Sequence, residues 1–422
     1  MQRKMVVTGV RIGGIAAVAA LALLLAVRLQ ARASDAKLES EFVQKVGPLD
    51  PQAYTSPSVP DSENAAIWLR AAAAALNLTR ADKDFIGDLG RVPADQWTAE
   101  QDAGVDRLAA RSAPALVLAE RAALLPRSSL MLSGRDAVDI KYQVSLADLM
   151  WLARVIDERG RLAARRGDWA GFRSGVTELA RIASTTEPES PLICQLVGLA
   201  TERMMFDVIR AGVESPALGG AAWQGLDAEI PSVELVAAWR RALGAMATGV
   251  RVGIVDPHNL FDRESTKVDL AVPSPEEYLR IVLTVESLAA RPIGLDAALG
   301  DRLQKGKGVT SGRPVADFLA GSLVRYQSIL SMRRMARVAI GLRAYAVAKG
   351  RYPDTLAAWP EAAGPDPFTG GAMRYEVRAD GSAVLAVPGA EELFNRINEL
   401  KTTVPYTWVV SAPGPAVPAT HD

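Results

Sequence analysis

One cysteine, Cys194, and two histidines, His258 and His421, are all that this 422-residue chain holds of thiol and imidazole. A lone thiol closes no intramolecular disulfide, and two distant imidazoles make neither a histidine-rich metal site nor a His-x-x-x-His zinc helix. Cys194 stands in SPLICQLVGLA with no histidine nearby to activate it, so it reads as a small buried hydrophobe. Net charge is missing too: 48 Lys and Arg balance 48 Asp and Glu. Affinity for nucleic acid comes from neutralising phosphates with a basic surface, and a neutral chain without a long basic block argues against such a partner. KGKGVTSG from Lys305 lacks the Gly-x-x-x-x-Gly-Lys-Ser/Thr spacing of a phosphate loop, and TGVRIGG near the start lies in an apolar run. No motif implies a cofactor or a resident metal.

What the chain does have is a long apolar start. Ile12 to Val27 is a stretch of sixteen residues without a charge, and Arg11 alone interrupts its extension back to Met5. Arg3, Lys4 and Arg11 precede the run, while Arg28 and Arg32 follow it. This balance predicts a segment over residues 1–33 with its N-terminus in the cytoplasm and the bulk of the protein outside. Ala31-Arg32-Ala33 also fits a signal-peptidase site, which would release a secreted chain beginning at Ser34. The close arginine flanks favour an uncleaved anchor, hence a single-pass protein of the cytoplasmic membrane with a periplasmic body.

The remainder has a globular balance, 49% hydrophobic and 23% charged. Residues 34–60 read as an irregular or partly helical tether, and 61–349 as a helical body. Asp61 or Ser62 is placed to cap the helix NAAIWLRAAAAALNL, and a second helix is expected from Ala99 to Leu125. Ser145 to Arg166 reads as a helix closed by Gly167-Asp168. Trp169, Phe172, Val176, Leu179 and Ala183 then repeat at helical spacing, and Leu192 to Ala211 is apolar on most sides. Helices follow over Val233–Ile254, after a cap at Ser274, and over Val315–Ala348 with a stripe that runs from Tyr326 to Val347. Short turns between long helices predict a mainly α fold of antiparallel hairpins, stacked as a solenoid or bundle. Residues 350–410 change character. Met373–Val377 and Ala383–Val387 alternate around Asp380-Gly381, which predicts a β-hairpin in a small C-terminal module, followed by a disordered Pro/Ala-rich tail over 411–422.

Reactive groups gather in one place, DPHNLFDRES, where His258 is flanked by Asp256 and Glu264. There His258 would be a general base oriented by a carboxylate, or one ligand of a metal site. The bland alternative is a polar loop closing a helix, and the lack of a nucleophile motif supports it. Glu276-Glu277 and Glu391-Glu392 suit helix N-termini rather than catalysis. Trp68, Trp151, Trp169 and Trp239 are spread over predicted helices and read as core.

The stretch KGRYPDTLAAWPEAAGPDPFTGGAMRYEV, from Lys349, resembles the C-terminal region of the type II secretion major pseudopilins. Tyr345, Gly350, Tyr352, Pro353, Leu356, Asp366, Pro367, Gly370 and Tyr375 carry the resemblance, over about a tenth of the chain. It implies a helix, a Tyr-Pro turn and a small sheet. That family's acidic calcium loop is replaced here by PGAEELFNRINEL, and some three hundred residues separate the module from the apolar start, so neither calcium nor filament assembly carries over. The wider arrangement is similar to a broad group of uncharacterised bacterial envelope proteins. The matching pieces are Asn64 to Arg70, Leu162 to Phe172, Pro191 to Val197 and Gly350 to Tyr375. The expectation is a membrane-anchored scaffold or protein-interaction module whose partner is another envelope protein. The alternatives are a hydrolase using His258 and a secretion or pilus accessory protein.

Overall fold

The computed structural model describes residues 33–54, 59–130, 145–186, 192–232, 234–251, 274–289, 292, 313–398 and 406–412. The expected membrane segment lies outside these residues but for residue 33. Among the described residues no helix is long and apolar enough to cross a membrane.

The fold is mainly helical with one small antiparallel sheet. A first helix, α1 (33–45), covers part of the expected tether. Its Phe42 is fully buried, and its Glu39 accepts from Arg251 Nε at 2.9 Å. Helix α2 (Ala65–Ala75) is capped by Asn64, not by Asp61 or Ser62. The Asn64 carboxamide explains the choice. Its Oδ1 accepts from Ala66 N at 3.1 Å and from Ser129 N at 3.0 Å, while its Nδ2 donates to Ser129 O at 3.1 Å. One buried side chain therefore caps a helix and ties it to a strand of chain 65 residues away.

Helix α3 (Arg80–Leu89) was not expected. Its signal was present as a capping box, with Thr79 and Asp82 satisfying each other's backbone amides. The single helix expected over Ala99–Leu125 is two, α4 (Ala99–Arg111) and α5 (Ala113–Ala123). Pro114 has no amide proton to give to Ala110, so the ladder breaks at Ser112.

The centre is built from α6 (Leu146–Arg166), α7 (Trp169–Thr186) and α8 (Leu192–Glu214), each packed against the other two. Phe172, Val176, Leu179 and Ala183 of α7 are completely buried, as the periodicity requires. Two glycines set how closely α6 and α7 approach. A Cβ on Gly175 would stand 3.1 Å from Gly160 Cα, and a Cβ on Gly160 would stand 3.0 Å from Val208 on α8. Cys194 is fully buried in α8. Helices α9 (Leu235–Arg251) and α10 (Pro275–Ala289) pack on each other, with Ser274 Oγ accepting from Glu277 N at 3.2 Å as expected of its cap.

Helix α11 (Arg313–Lys349) is 37 residues long, about 55 Å at 1.5 Å per residue, and packs against α8, α9 and α10 as well as the C-terminal module. Its expected stripe holds at Tyr326, Ile329, Ala336 and Ile340, but Val347 is 41% exposed because the core ends before the last turn. Gly350, at φ 69°, ends it.

The module has three strands, not the two of the expected hairpin: β1 (Arg374–Val377), β2 (Ala383–Ala386) and β3 (Thr407–Val410), antiparallel in that order. Tyr375 faces Leu385 and Leu385 faces Trp408. A short helix, α12 (Ala390–Asn398), separates β2 from β3, opened by Glu391 and Glu392 as anticipated.

The tight α6–α7 approach makes a test. Gly175→Ala should lower the unfolding free energy by about 1–3 kcal/mol, the usual cost of overpacking. Gly321→Ala on α11, where a Cβ would meet nothing within 4 Å, should be neutral or stabilising. Urea midpoints of the two variants decide it, and an unshifted Gly175→Ala midpoint would contradict the close approach.

Candidate functional site

The expected reactive trio, Asp256, His258 and Glu264, lies outside the described residues, as does the Lys305 loop. Asn77-Leu78-Thr79 leads into a helix, with Thr79 engaged as its cap. Trp239, Trp223 and Trp408 are core, whereas Trp68 and Trp151 are half-buried under the arginines Arg121 and Arg154.

Buried and half-buried ion pairs in α6, α8 and α11 are what the sequence reading missed. In α6, Asp157, Glu158 and Arg161 are all buried, and Arg161 Nη1 donates to Glu158 at 3.0 Å. In α8, Arg203 holds Asp207 with two hydrogen bonds of 3.2 Å, and Glu202 accepts from Arg333 Nε of α11 at 2.8 Å. Burial and the neighbouring Glu158 push the Asp157 carboxyl well up. Burial pushes Glu158 up to about 7, only partly opposed by Arg161. Burial also acts on Asp207, but Arg203 and Arg210 outweigh it and hold this carboxyl below the usual range. A usable signal did exist: charged residues within a helix already read as covered on most sides must be paired.

This network reaches, through Arg161, a cleft of about 750 Å³, within the span typical of ligand sites. The cleft lies along the seam between body and module. Arg161 and Arg165 come from the end of α6, and Arg210 and Glu214 from the end of α8. The turn Pro93–Gln96 forms one rim, while Asp380, Ser382, Val409 and Ser411 of the module form the other. Two of the arginines are occupied. Arg161 Nη2 donates to Val92 O at 2.6 Å and stacks over Trp97, while Arg165 Nη1 donates to Ala94 O at 2.7 Å. Arg210 is held more loosely: it pairs with Asp207 at 3.8 Å, its charge also acts on Glu214, and among the described residues its buried Nε has no acceptor. Glu214 Oε1 accepts from Val409 N at 3.3 Å, and burial raises this carboxyl.

The seam itself is held by hydrogen bonds. Arg343, 1% exposed, donates through Nη1 to Ser411 O at 2.9 Å and to Ser411 Oγ at 2.8 Å. Tyr352 Oη donates to the same carbonyl at 2.5 Å, and Ser411 N donates to Val213 O at 2.9 Å. Ser411, expected to open a disordered tail, is thus fixed through backbone and side chain alike. Further along, Ser331 Oγ donates to Asp366 at 2.6 Å, and Arg334 donates to the carbonyls of Glu361, Ala363 and Pro365.

Comparison with family models, curated proteins and solved structures finds no match. The chemistry must therefore be argued from the cleft. It presents charge of both signs, Arg210 against Asp95, Glu214 and Asp380, over a half-apolar surface. Among the described residues no histidine lines it beside the hydroxyls of Ser215, Ser382 and Ser411. Among the described residues no group of three His, Cys, Asp or Glu side chains is placed to hold a metal ion.

The buried carboxyls give stability a pH dependence. Glu158, Asp157, Glu178 and Glu214 are all raised, so each binds its proton more tightly in the folded chain than in the unfolded one. Their contribution is complete below the ordinary carboxylate range and is lost as pH rises towards the folded value, about 7 for Glu158. Melting temperature should therefore fall between pH 5 and pH 8, and Glu158→Gln should flatten that fall. A melting temperature that rises over the same interval would contradict the assignment.

Proposed function

We propose that this chain is a membrane-tethered helical scaffold on the outer side of the cytoplasmic membrane, whose body and C-terminal module together bind another envelope protein. The apolar start with its basic flanks supports the anchor and the outward body. The two-residue turn Gly167–Asp168 between α6 and α7 supports reading the body as stacked antiparallel hairpins, the arrangement used by many interaction scaffolds.

The observation that carries the binding role is Arg210. A largely buried guanidinium whose Nε has no acceptor among the described residues and whose ion pair to Asp207 is long, at 3.8 Å, costs stability, and a cleft of ligand size in front of it is a reason to keep it. The mixed charges of the lining favour binding, and the Ser382 hydroxyl is engaged within the module's own turn, donating to Asp380 Oδ1 at 2.6 Å.

A photo-crosslinking residue placed at Ala412, on the cleft rim, should capture one recurrent envelope protein in intact cells. The same residue at Val117, 61% exposed on α5, should not, and Arg210→Gln should weaken the Ala412 product. Identical products from both positions, or none from Ala412, would sink the proposal.

A further inference from the structure

We infer that the cleft takes the end of a short peptide, seating a free carboxylate on Arg210 and peptide or terminal N–H groups against Asp95, Glu214 and Asp380. This rests on the binding role proposed above and names the chemistry of the ligand.

Arg210 defines a single anion seat. Arg203 already holds both oxygens of Asp207, so Arg210 is the second claimant on that carboxylate. A guanidinium presents a planar fork of donors that a carboxylate matches in a bidentate way. Arg161 and Arg165 do not extend the seat into a track for a polyanion, because their donors go to Glu158 and to the carbonyls of Val92, Ala94 and Asp95.

The acids around the cleft point the same way. Asp95, Glu214 and Asp380 would repel a second negative group and accept donors. Glu214 gives one oxygen to Val409 N, and Asp380 gives Oδ1 to Ser382, which leaves the second oxygen of each for a ligand. The rest of the described lining is Gln96, serines, prolines, alanines and Val409, with no aromatic ring among the described residues. A sugar or a nucleobase would find no stacking platform there. A peptide backbone with small side chains fits the volume, the mixed charge and the half-apolar surface.

The test is calorimetric titration of the full chain in detergent. The probes are trialanine with free termini, its C-terminal amide, its N-acetyl form and inorganic phosphate. Trialanine should bind, and amidation should weaken it by about tenfold or more, the loss expected of a charge-assisted pair. Arg210→Gln should cause the same loss. Asp380→Asn, at an exposed turn, should weaken trialanine more than N-acetyl trialanine, which keeps the proposal testable if Arg210→Gln fails to fold. The inference is overturned if the amide binds as well as the acid, or if phosphate binds as tightly as trialanine. An Asp380→Asn variant that treats both peptides as the wild type does would also overturn it. Absence of trialanine binding with the Ala412 crosslink intact overturns this ligand assignment and leaves the scaffold role standing.

Discussion

A guanidinium taken out of water must find oxygens, and Arg343 finds them on a residue at the far end of the described chain. Its two hydrogen bonds to Ser411, with Tyr352 on the same carbonyl, fix β3 against the ends of α8 and α11. Removing one partner from such a buried charge typically costs about 3–5 kcal/mol, so the clasp is strong enough to hold a module of this size. Because β3 is fixed, Val409 can donate to Glu214, and the turn with Asp380 comes to stand opposite Arg161 and Arg210. The cleft exists because the clasp does.

The same requirement runs through the core. The glycines on α6 and α7 bring these helices close, and Asp157, Glu158 and Arg161 of α6 and Glu202 of α8 are buried. Asp157, Glu158, Arg161, Arg203 and Asp207 answer one another, and burial pushes the Asp157 and Glu158 carboxyls up against the pull of Arg161. Arg210 is where the pairing loosens to 3.8 Å, and it does so at the cleft wall. A strained electrostatic balance next to an open site is a common mark of a functional surface.

Much of the helical body was legible from the periodicity of Trp169 to Ala183, from Ser274 and from the Gly167 and Gly350 stops, since local chemistry fixes those features. The split at Ser112 and the capping box at Thr79 are also local, carried by Pro114 and by the Thr79–Asp82 pair. Asn64 as a cap was legible only in part, because its partner Ser129 is long-range. β3 was hidden for the same reason: TWVV is four residues long and lies beyond a helix from its partner strand. The candidate site could not be read at all, since it joins the ends of α6 and α8 to a rim more than 160 residues later in the chain. Lys349–Val377 drew attention as a motif and proves to be the bolted side of the module, with Asp366 on Ser331 and Tyr375 Oη on Pro353 O at 2.7 Å.

The central claim is that body and module form one cooperative unit around the cleft. Native-state hydrogen exchange measures this directly, through the opening free energies of the Ser411 and Val387 amides and those of the α8 amides from Val208 to Gly212. The account predicts that both sets exchange through the same global opening and respond equally to denaturant. Module amides that open at much lower free energy, while α8 stays protected, would contradict it.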